Sequence, residues 1–182
     1  MTEQEAIELA RTYFITEENT YGCAETTLMV LQQAFRLPRA IDASPAMALN
    51  GGIAWSGGPC GAITGAAMAV GRLAGRHIAD HREAKAVARA IIARLMDDFR
   101  REYDHIDCRA LVGLDISTAE GHDAFIEGQL WHTICMNQIG FVLQRLVALG
   151  DEHSWHDLDS LSPWLSPAPG EGTERGESTL QR

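Results

Sequence analysis

Between residues 84 and 99 the apolar side chains recur at intervals of three and four residues. The series is Ala84, Val87, Ala88, Ile91, Ile92, Leu95, Met96 and Phe99, with arginine, lysine and aspartate between its members. This spacing places the apolar residues on one face of an α-helix, which must be buried against other elements. We find no alternating apolar and polar pattern of useful length, so no β-sheet is expected. The fold class is therefore predicted to be all-α.

Other helical patterns occur along most of the chain. Thr2 and Glu5 form a capping-box pattern that opens a first helix. Further helices are predicted over about 23–35, through Met47 and Leu49, over about 60–75, from Asp107, and over about 122–149. Together they predict a bundle of about six or seven helices in one domain, residues 1–162. Residues 163–182 are rich in Pro, Gly, Ser, Thr and Glu, and are predicted to form a disordered tail.

The charge and the composition exclude several classes of function. The formal net charge is −10, which argues against a nucleic-acid partner because phosphate binding needs a basic surface. No segment reaches the ~18 uninterrupted apolar residues of a membrane span. The acidic start of the chain lacks the features of a signal peptide, so a cytoplasmic protein is expected. Disulfides are rare in that compartment, so the four cysteines are expected to be free thiols, metal ligands or a redox pair.

One segment, residues 51–71, is unusually rich in small residues: seven of its 21 residues are glycine. Cys60 lies in its middle, directly after Pro59. On the predicted helix that follows, Gly61, Ala62 and Gly65 leave a surface poor in side chains, which another backbone or an inorganic group could approach closely. Cys60 is predicted to lie in the first turn, where free N–H groups and the helix dipole would lower its pKa.

The other three cysteines partly repeat this arrangement. Cys23 and Cys108 lie at predicted helix starts, and Cys135 lies within the predicted last helix. The four thiols could converge on one point in the core of the bundle. They could equally be small buried hydrophobes, with the glycine face serving only helix packing, because no C-x-x-C spacing is present.

Three segments in this order carry a resemblance to a known family: "YGCAETTLMVL", "GGIAWSGGPCGAITGAAMAVG" and "CRALVGLD", followed by one isolated cysteine. From about Thr20 to Gln144 the chain resembles the redox-active proteins named for a C-GCAxxG-C-C pattern, although Pro59 stands where that pattern has glycine. Related domains are fused to haem-binding segments, where the cysteines are thought to hold an iron–sulfur cluster. The resemblance implies a [2Fe–2S] or [4Fe–4S] cluster with Cys23, Cys60, Cys108 and Cys135 as ligands. Gly61, Ala62 and Gly65 would provide it with space and amide groups.

The leading hypothesis is therefore an electron-transfer protein with one iron–sulfur cluster; the sequence does not identify its redox partner. The alternatives are metal-free thiol–disulfide chemistry with Cys60 as nucleophile, a structural zinc site, and a helical interaction module; a homodimer is compatible with each. His132 is a further candidate ligand or an ordinary partly buried histidine, and His153 and His156 are a metal pair or surface residues. Glu25 would hydrogen-bond a nearby group or remain a solvated carboxylate, and Trp55 would shield the site or anchor the loop.

Overall fold

The structure, a computed structural model, describes residues 1–16, 20–155 and 158–165. Its eight α-helices within these ranges are α1 (Glu3–Phe14), α2 (Cys23–Ala34), α3 (Gly61–His77), α4 (His81–Tyr103), α5 (Cys108–Val112), α6 (Ala119–Glu127), α7 (Met136–Leu146) and α8 (Ser162–Leu165). The described residues contain no β-strand, only an isolated antiparallel bridge between Pro59 and Asp107. The all-α prediction is confirmed.

Helix α2 lies at the centre of the bundle. Its residues from Cys23 to Gln32 are all buried, and it packs against α1, α3 and α7. A helix that is covered on every side needs apolar or small residues all round, which α2 has in its Met29–Leu31 segment and in its alanines. Helix α4 packs outside this core against α3, with Val87, Ile91, Leu95 and Phe99 buried as the spacing predicted. The capping box at Thr2 and Glu5 is present as well.

The predicted long last helix is wrong, because it is broken into three pieces. Helix α6 ends at Glu127, a π-helical turn covers Trp131–Cys135, and α7 continues from Met136. Between them, Gln129 has a φ of 49°, in the left-handed region that ends helices. The break lies at residues 128–129, and Cys135 is the last residue of the π turn, which runs directly into α7.

Two further segments differ from the prediction. The helix expected through Met47 and Leu49 is only a 3₁₀ turn, Ser44–Ala46. Residues 163–165, assigned to the tail, belong to α8, where the indole of Trp164 donates a hydrogen bond to the carbonyl of Arg145 at 3.0 Å. The remainder of the predicted tail, residues 166–182, lies outside the described residues. No helix in the described ranges has the length and apolar character needed to cross a membrane.

Candidate functional site

The four cysteines are free thiols, and each is at most 9% exposed. Cys23 is the first residue of α2, Cys60 is the N-cap of α3, and Cys108 is the first residue of α5. Three of the four thiols thus lie at helix starts, as predicted from the sequence. Each of these positions brings backbone N–H groups that have no partner within the helix.

Backbone hydrogen bonds hold the Cys60 and Cys108 segments together. The amide of Cys60 donates to the carbonyl of Ile106 at 2.7 Å, and the amide of Cys108 donates to the carbonyl of Gly58 at 2.7 Å. These two bonds flank the bridge between Pro59 and Asp107. Two cysteines that are 48 residues apart are therefore fixed side by side, because each flanks one residue of the same bridge.

Glycines bring Cys23 and α3 into contact. A Cβ atom at position 61 would overlap the sulfur of Cys23, and one at position 65 would overlap the carbonyl oxygen of Ala24. Only glycine leaves room at these positions. Gly61 makes space for the thiol of Cys23, whereas Gly65 serves the close packing of α3 on α2. That these residues leave room for a cluster stays a prediction. Ala62, the third predicted residue, is fully buried, and its amide hydrogen-bonds the sulfur of Cys60.

The prediction of a lowered pKa at Cys60 is wrong. Burial raises the pKa of Cys60 well above its ordinary value, and the charges of Cys23 and Cys108 raise it further. Hydrogen bonds from the amides of Ala62 and Ile63 oppose this increase without reversing it. The helix start contributes as expected, but loss of water around the sulfur outweighs it.

The remaining thiols behave in the same way. Burial raises the pKa of Cys23, although amides of Gly51, Ala24, Cys23 itself and Gly61 favour its thiolate. Burial raises the pKa of Cys108 to about 12, with the charge of Cys23 as the second cause. Burial likewise raises the pKa of Cys135 well above the ordinary value. Without a metal, all four are therefore protonated at neutral pH.

The four cysteines lie close enough together for their charges to affect one another's pKa values. Cys135 is influenced by the charges of the three other cysteines, Cys60 by those of Cys23 and Cys108, and Cys108 by that of Cys23. All six pairs therefore interact. Even so, no three His, Cys, Asp or Glu side chains among the described residues are close enough to hold a single metal ion. The cysteines share a neighbourhood that is wider than a mononuclear site.

A buried polar network beside Cys23 was not predicted from the sequence. Oδ1 of Asn50 accepts a hydrogen bond from the amide of Ala24 at 2.9 Å, and it lies 3.9 Å from the sulfur of Cys23, which donates to it. Nδ2 of Asn50 donates to Glu25 at 2.7 Å, and the same carboxylate oxygen accepts from the amide of Gly22 at 2.9 Å. Glu25 is buried, so its interpretation as a solvated carboxylate is wrong. The network fixes the entry of α2 and the position of Cys23.

A second buried amide lies beside Cys60. Gln138, on α7, is 3% exposed, and its Oε1 is 3.4 Å from the Cys60 sulfur, which donates to it. The sequence signal for it was weak, a glutamine three residues after Cys135 and directly after Asn137, followed by the apolar Ile139. Such a residue on a buried helix face needs a polar partner, and here the partner is a cysteine.

A cavity of about 250 Å³ opens from the cysteines to the surface. Cys23, Cys108 and Cys135 line it together with Glu25 and Asn50, while Cys60 lies behind them. All three of these cysteines and Glu25 are buried, whereas Met47 and Trp55 on the same cavity are 64% and 38% exposed. The buried residues therefore form the floor of the cavity, and the exposed ones form its mouth.

The wall that carries Trp55 is a left-handed helical turn. Five consecutive residues, Gly51 to Trp55, have φ between 51° and 73°. Three of them are not glycine, and this conformation costs about 1–2 kcal/mol for each such residue. Trp55 makes edge-on contacts with His122 and Phe125, at centroid distances of 4.7 and 6.0 Å. Both expectations for Trp55 are consistent with this position at the cavity mouth.

The two histidine candidates that the structure describes, His132 and His153, form no metal-binding group with the cysteines. His132 packs edge-on against Trp131 and belongs to no group of three potential metal ligands in the described part of the chain. His153 is exposed, in agreement with its interpretation as a surface residue. His156, the second member of the proposed pair, lies outside the described residues.

Comparison with known proteins supports the resemblance found in the sequence. A family model described as "Putative redox-active protein (C_GCAxxG_C_C)" matches residues 21–149. No curated protein and no solved structure gives a significant match. Because the family match covers well over half of the chain and contains all four cysteines, this protein belongs to the C_GCAxxG_C_C family of redox-active proteins.

Proposed function

We propose that the protein is an electron-transfer protein that binds one iron–sulfur cluster, [2Fe–2S] or [4Fe–4S], through Cys23, Cys60, Cys108 and Cys135. The observation that carries the proposal is that four buried thiols from four separate segments lie close enough for their charges to raise one another's pKa values. Four thiolates are the usual ligand set of such clusters. The cluster, when bound, would take up and give back one electron at a time.

The surroundings of the thiols support this ligand set. Thiolates bound to a cluster accept hydrogen bonds from backbone amides, which also tune the reduction potential. Amides of Gly51 and Gly61 are available to Cys23, and amides of Ala62 and Ile63 to Cys60. Because residue 61 is a glycine and has no Cβ atom, there is room for the sulfur of Cys23 beside it. These residues hold and orient the sulfurs.

Two rival functions are less well supported. Thiol–disulfide exchange needs a thiolate as nucleophile, whereas burial raises the pKa of all four cysteines and hinders the approach of a second thiol. A structural zinc ion needs four ligands about 2.3 Å from one centre, and no three candidate side chains in the described ranges are that close together. A cluster divides its ligands among several iron atoms, so it accepts sulfurs that are further apart.

The test is anaerobic purification followed by iron, sulfide and zinc analysis and visible spectroscopy. We expect a brown protein with both iron and sulfide, whose visible absorption is bleached by dithionite. Cys60→Ser should abolish iron loading and leave the far-ultraviolet helical signal unchanged. Ala69→Ser, at a buried position of the same helix, is the matched control and should keep its iron.

Three results would overturn the proposal. The first is full iron occupancy in the Cys60→Ser variant. The second is a colourless, metal-free protein whose thiol titre falls from four to two on mild oxidation. The third is stoichiometric zinc in place of iron.

A further inference from the structure

The cavity above the cysteines has walls of aromatic rings that the proposed cluster does not need. Phe14, Tyr21, Trp55, Phe125 and Trp131 all line it. Phe125 connects two of them, since its ring centroid is 6.0 Å from that of Trp55 and 6.2 Å from that of Trp131. The first pair is edge-on and the second is tilted. Aromatic rings in contact form a stiff apolar wall, and such a wall favours a flat ligand.

The charge of the cavity limits what can enter. Among the described residues that line it, Glu25 is the one that carries a charge, and its carboxylate already accepts hydrogen bonds from Gly22 and Asn50. No arginine or lysine is found among the described residues of this lining. A phosphate or carboxylate in the cavity would be buried without a cationic partner and would lie near a second negative charge. Anionic ligands are therefore disfavoured.

The left-handed turn supports a function for the mouth of this cavity. Ile53, Ala54 and Trp55 adopt the left-handed backbone conformation, which residues other than glycine rarely adopt. Backbone strain of this kind is concentrated at ligand sites. The turn packs the indole of Trp55 against Gly51, whose amide in turn hydrogen-bonds the sulfur of Cys23. A ligand ring that contacts Trp55 is therefore separated from the sulfur of Cys23 by a single residue, Gly51.

We propose that this cavity binds a flat aromatic molecule of one or two rings that carries no negative charge. The rings of Trp55, Phe125 and Trp131 contact its faces and edges, and the cysteines lie beneath it. The proposal stands on the cavity alone and does not require the cluster to be present.

The test is isothermal titration calorimetry of the anaerobically isolated protein with two probes that share one ring system, naphthalene-2-methanol and naphthalene-2-carboxylate. We expect the neutral probe to bind at least about tenfold more tightly than the anionic one. Trp55→Leu and Phe125→Leu should each weaken binding of the neutral probe by about two- to tenfold. Trp164→Leu is the matched control, because Trp164 packs elsewhere, at the carbonyl of Arg145, and should leave binding unchanged.

Equal or tighter binding of the carboxylate would overturn the inference, as would unchanged affinity in both the Trp55 and the Phe125 variants. The iron content of each sample is measured, so that failure of the cavity proposal can be distinguished from failure of the cluster proposal. Equal binding of the neutral probe to samples that contain iron and to samples that lack it supports the cavity independently of the cluster. A neutral probe that binds only after iron has been removed would show that the cavity is the space of the cofactor, and the inference would then be wrong.

Discussion

The sulfur of Cys60 lies 3.4 Å from Oε1 of Gln138, on a helix 78 residues further along the chain. A thiol can donate to this oxygen, whereas a metal-bound thiolate cannot. In the cluster-bound protein the amide should therefore turn and present its N–H₂ group to the sulfur, which makes Gln138 a residue that positions and tunes the proposed centre.

Gln138→Leu should lower the reduction potential of the iron-loaded protein. Loss of one hydrogen bond to a ligand sulfur destabilises the reduced, more negative state by about 1 kcal/mol, which is about 40 mV for one electron. A dithionite titration monitored in the visible range measures the shift. Gln33→Leu is the control, because Gln33 contacts Tyr13 and the carbonyl of Met29 and not a cysteine. A potential that is equal in the wild type and the Gln138 variant would exclude this role.

Gly61→Ala should reduce iron loading while the protein stays folded. The new methyl group would overlap the sulfur of Cys23, and such overpacking costs about 1–3 kcal/mol. Gly71→Ala on the same helix is the matched control, since nothing lies within 4 Å of its Cβ position. It should gain about 0.5–1 kcal/mol of stability and retain its iron. Urea unfolding and iron analysis measure both quantities, and full iron loading in the Gly61 variant would contradict the prediction.

The metal-free, reduced protein should lose stability as the pH rises above about 9. Burial raises the pKa of Cys108 to about 12 in the folded state, from 9.0. The folded state thus holds protons that the unfolded state releases, so unfolding becomes easier with rising pH, by up to about 1.4 kcal/mol per pH unit for each such thiol. Below pH 9 this stabilisation is fully present. Urea unfolding between pH 8 and 10.5 should give a shallower slope for Cys108→Ala than for the wild type; identical slopes would contradict the assignment.

Asn50→Asp should destabilise the protein at pH 8 and recover at pH 5. The substitution replaces the N–H₂ group that donates to Glu25 at 2.7 Å with an oxygen, so two carboxylates then face each other. Their repulsion costs about 2–4 kcal/mol until one of them takes up a proton, which restores the hydrogen bond. Adding Glu25→Gln should rescue part of the stability at pH 8, because it removes one of the two facing charges. The rescue is incomplete because an amide nitrogen that donates to position 50 cannot also accept the hydrogen bond from Gly22. Urea unfolding of the double-mutant cycle measures the coupling, and an additive result would show that the two side chains do not interact.

Ile53→Gly should stabilise the protein by about 1 kcal/mol, because Ile53 has a φ of 67° and glycine adopts this conformation without strain. Ile41→Gly, at a more exposed isoleucine outside the left-handed segments, should destabilise slightly. Thermal unfolding compares the two variants. A loss of stability at position 53 equal to that at position 41 would show that the side chain of Ile53 contributes more through its contacts than its backbone costs.

The sequence was sufficient for the fold class because the helical signals were local. The stripe on α4 and the capping box at Thr2 depend on residues three and four positions apart, and both are present. The positions of three cysteines at helix starts followed in the same way, from Gly22, Pro59 and Asp107 directly before them.

The sequence was insufficient wherever distant segments decide the outcome. The dipole argument at Cys60 considered its own helix, but burial by other helices determines its pKa. Asn50 was not singled out from the sequence, because its partners Ala24 and Glu25 lie about 25 residues away. The left-handed turn was missed for another reason: Ile53 and Trp55 are residue types that disfavour it, and only the glycines around them hinted at an unusual backbone.

The bridge between Pro59 and Asp107 has a consequence for the order of assembly. Backbone hydrogen bonds join the segment before α3 to the segment after α4, so that these two helices form a closed hairpin. Cys60 and Cys108 lie side by side as soon as this hairpin has formed. Cys23 and Cys135 arrive on other helices, α2 and the start of α7, and they join only when the bundle is complete. If the proposed cluster is bound, we therefore expect its capture to be a late event in maturation, with Cys60 and Cys108 held rigid beforehand and Cys23 and Cys135 closing onto them.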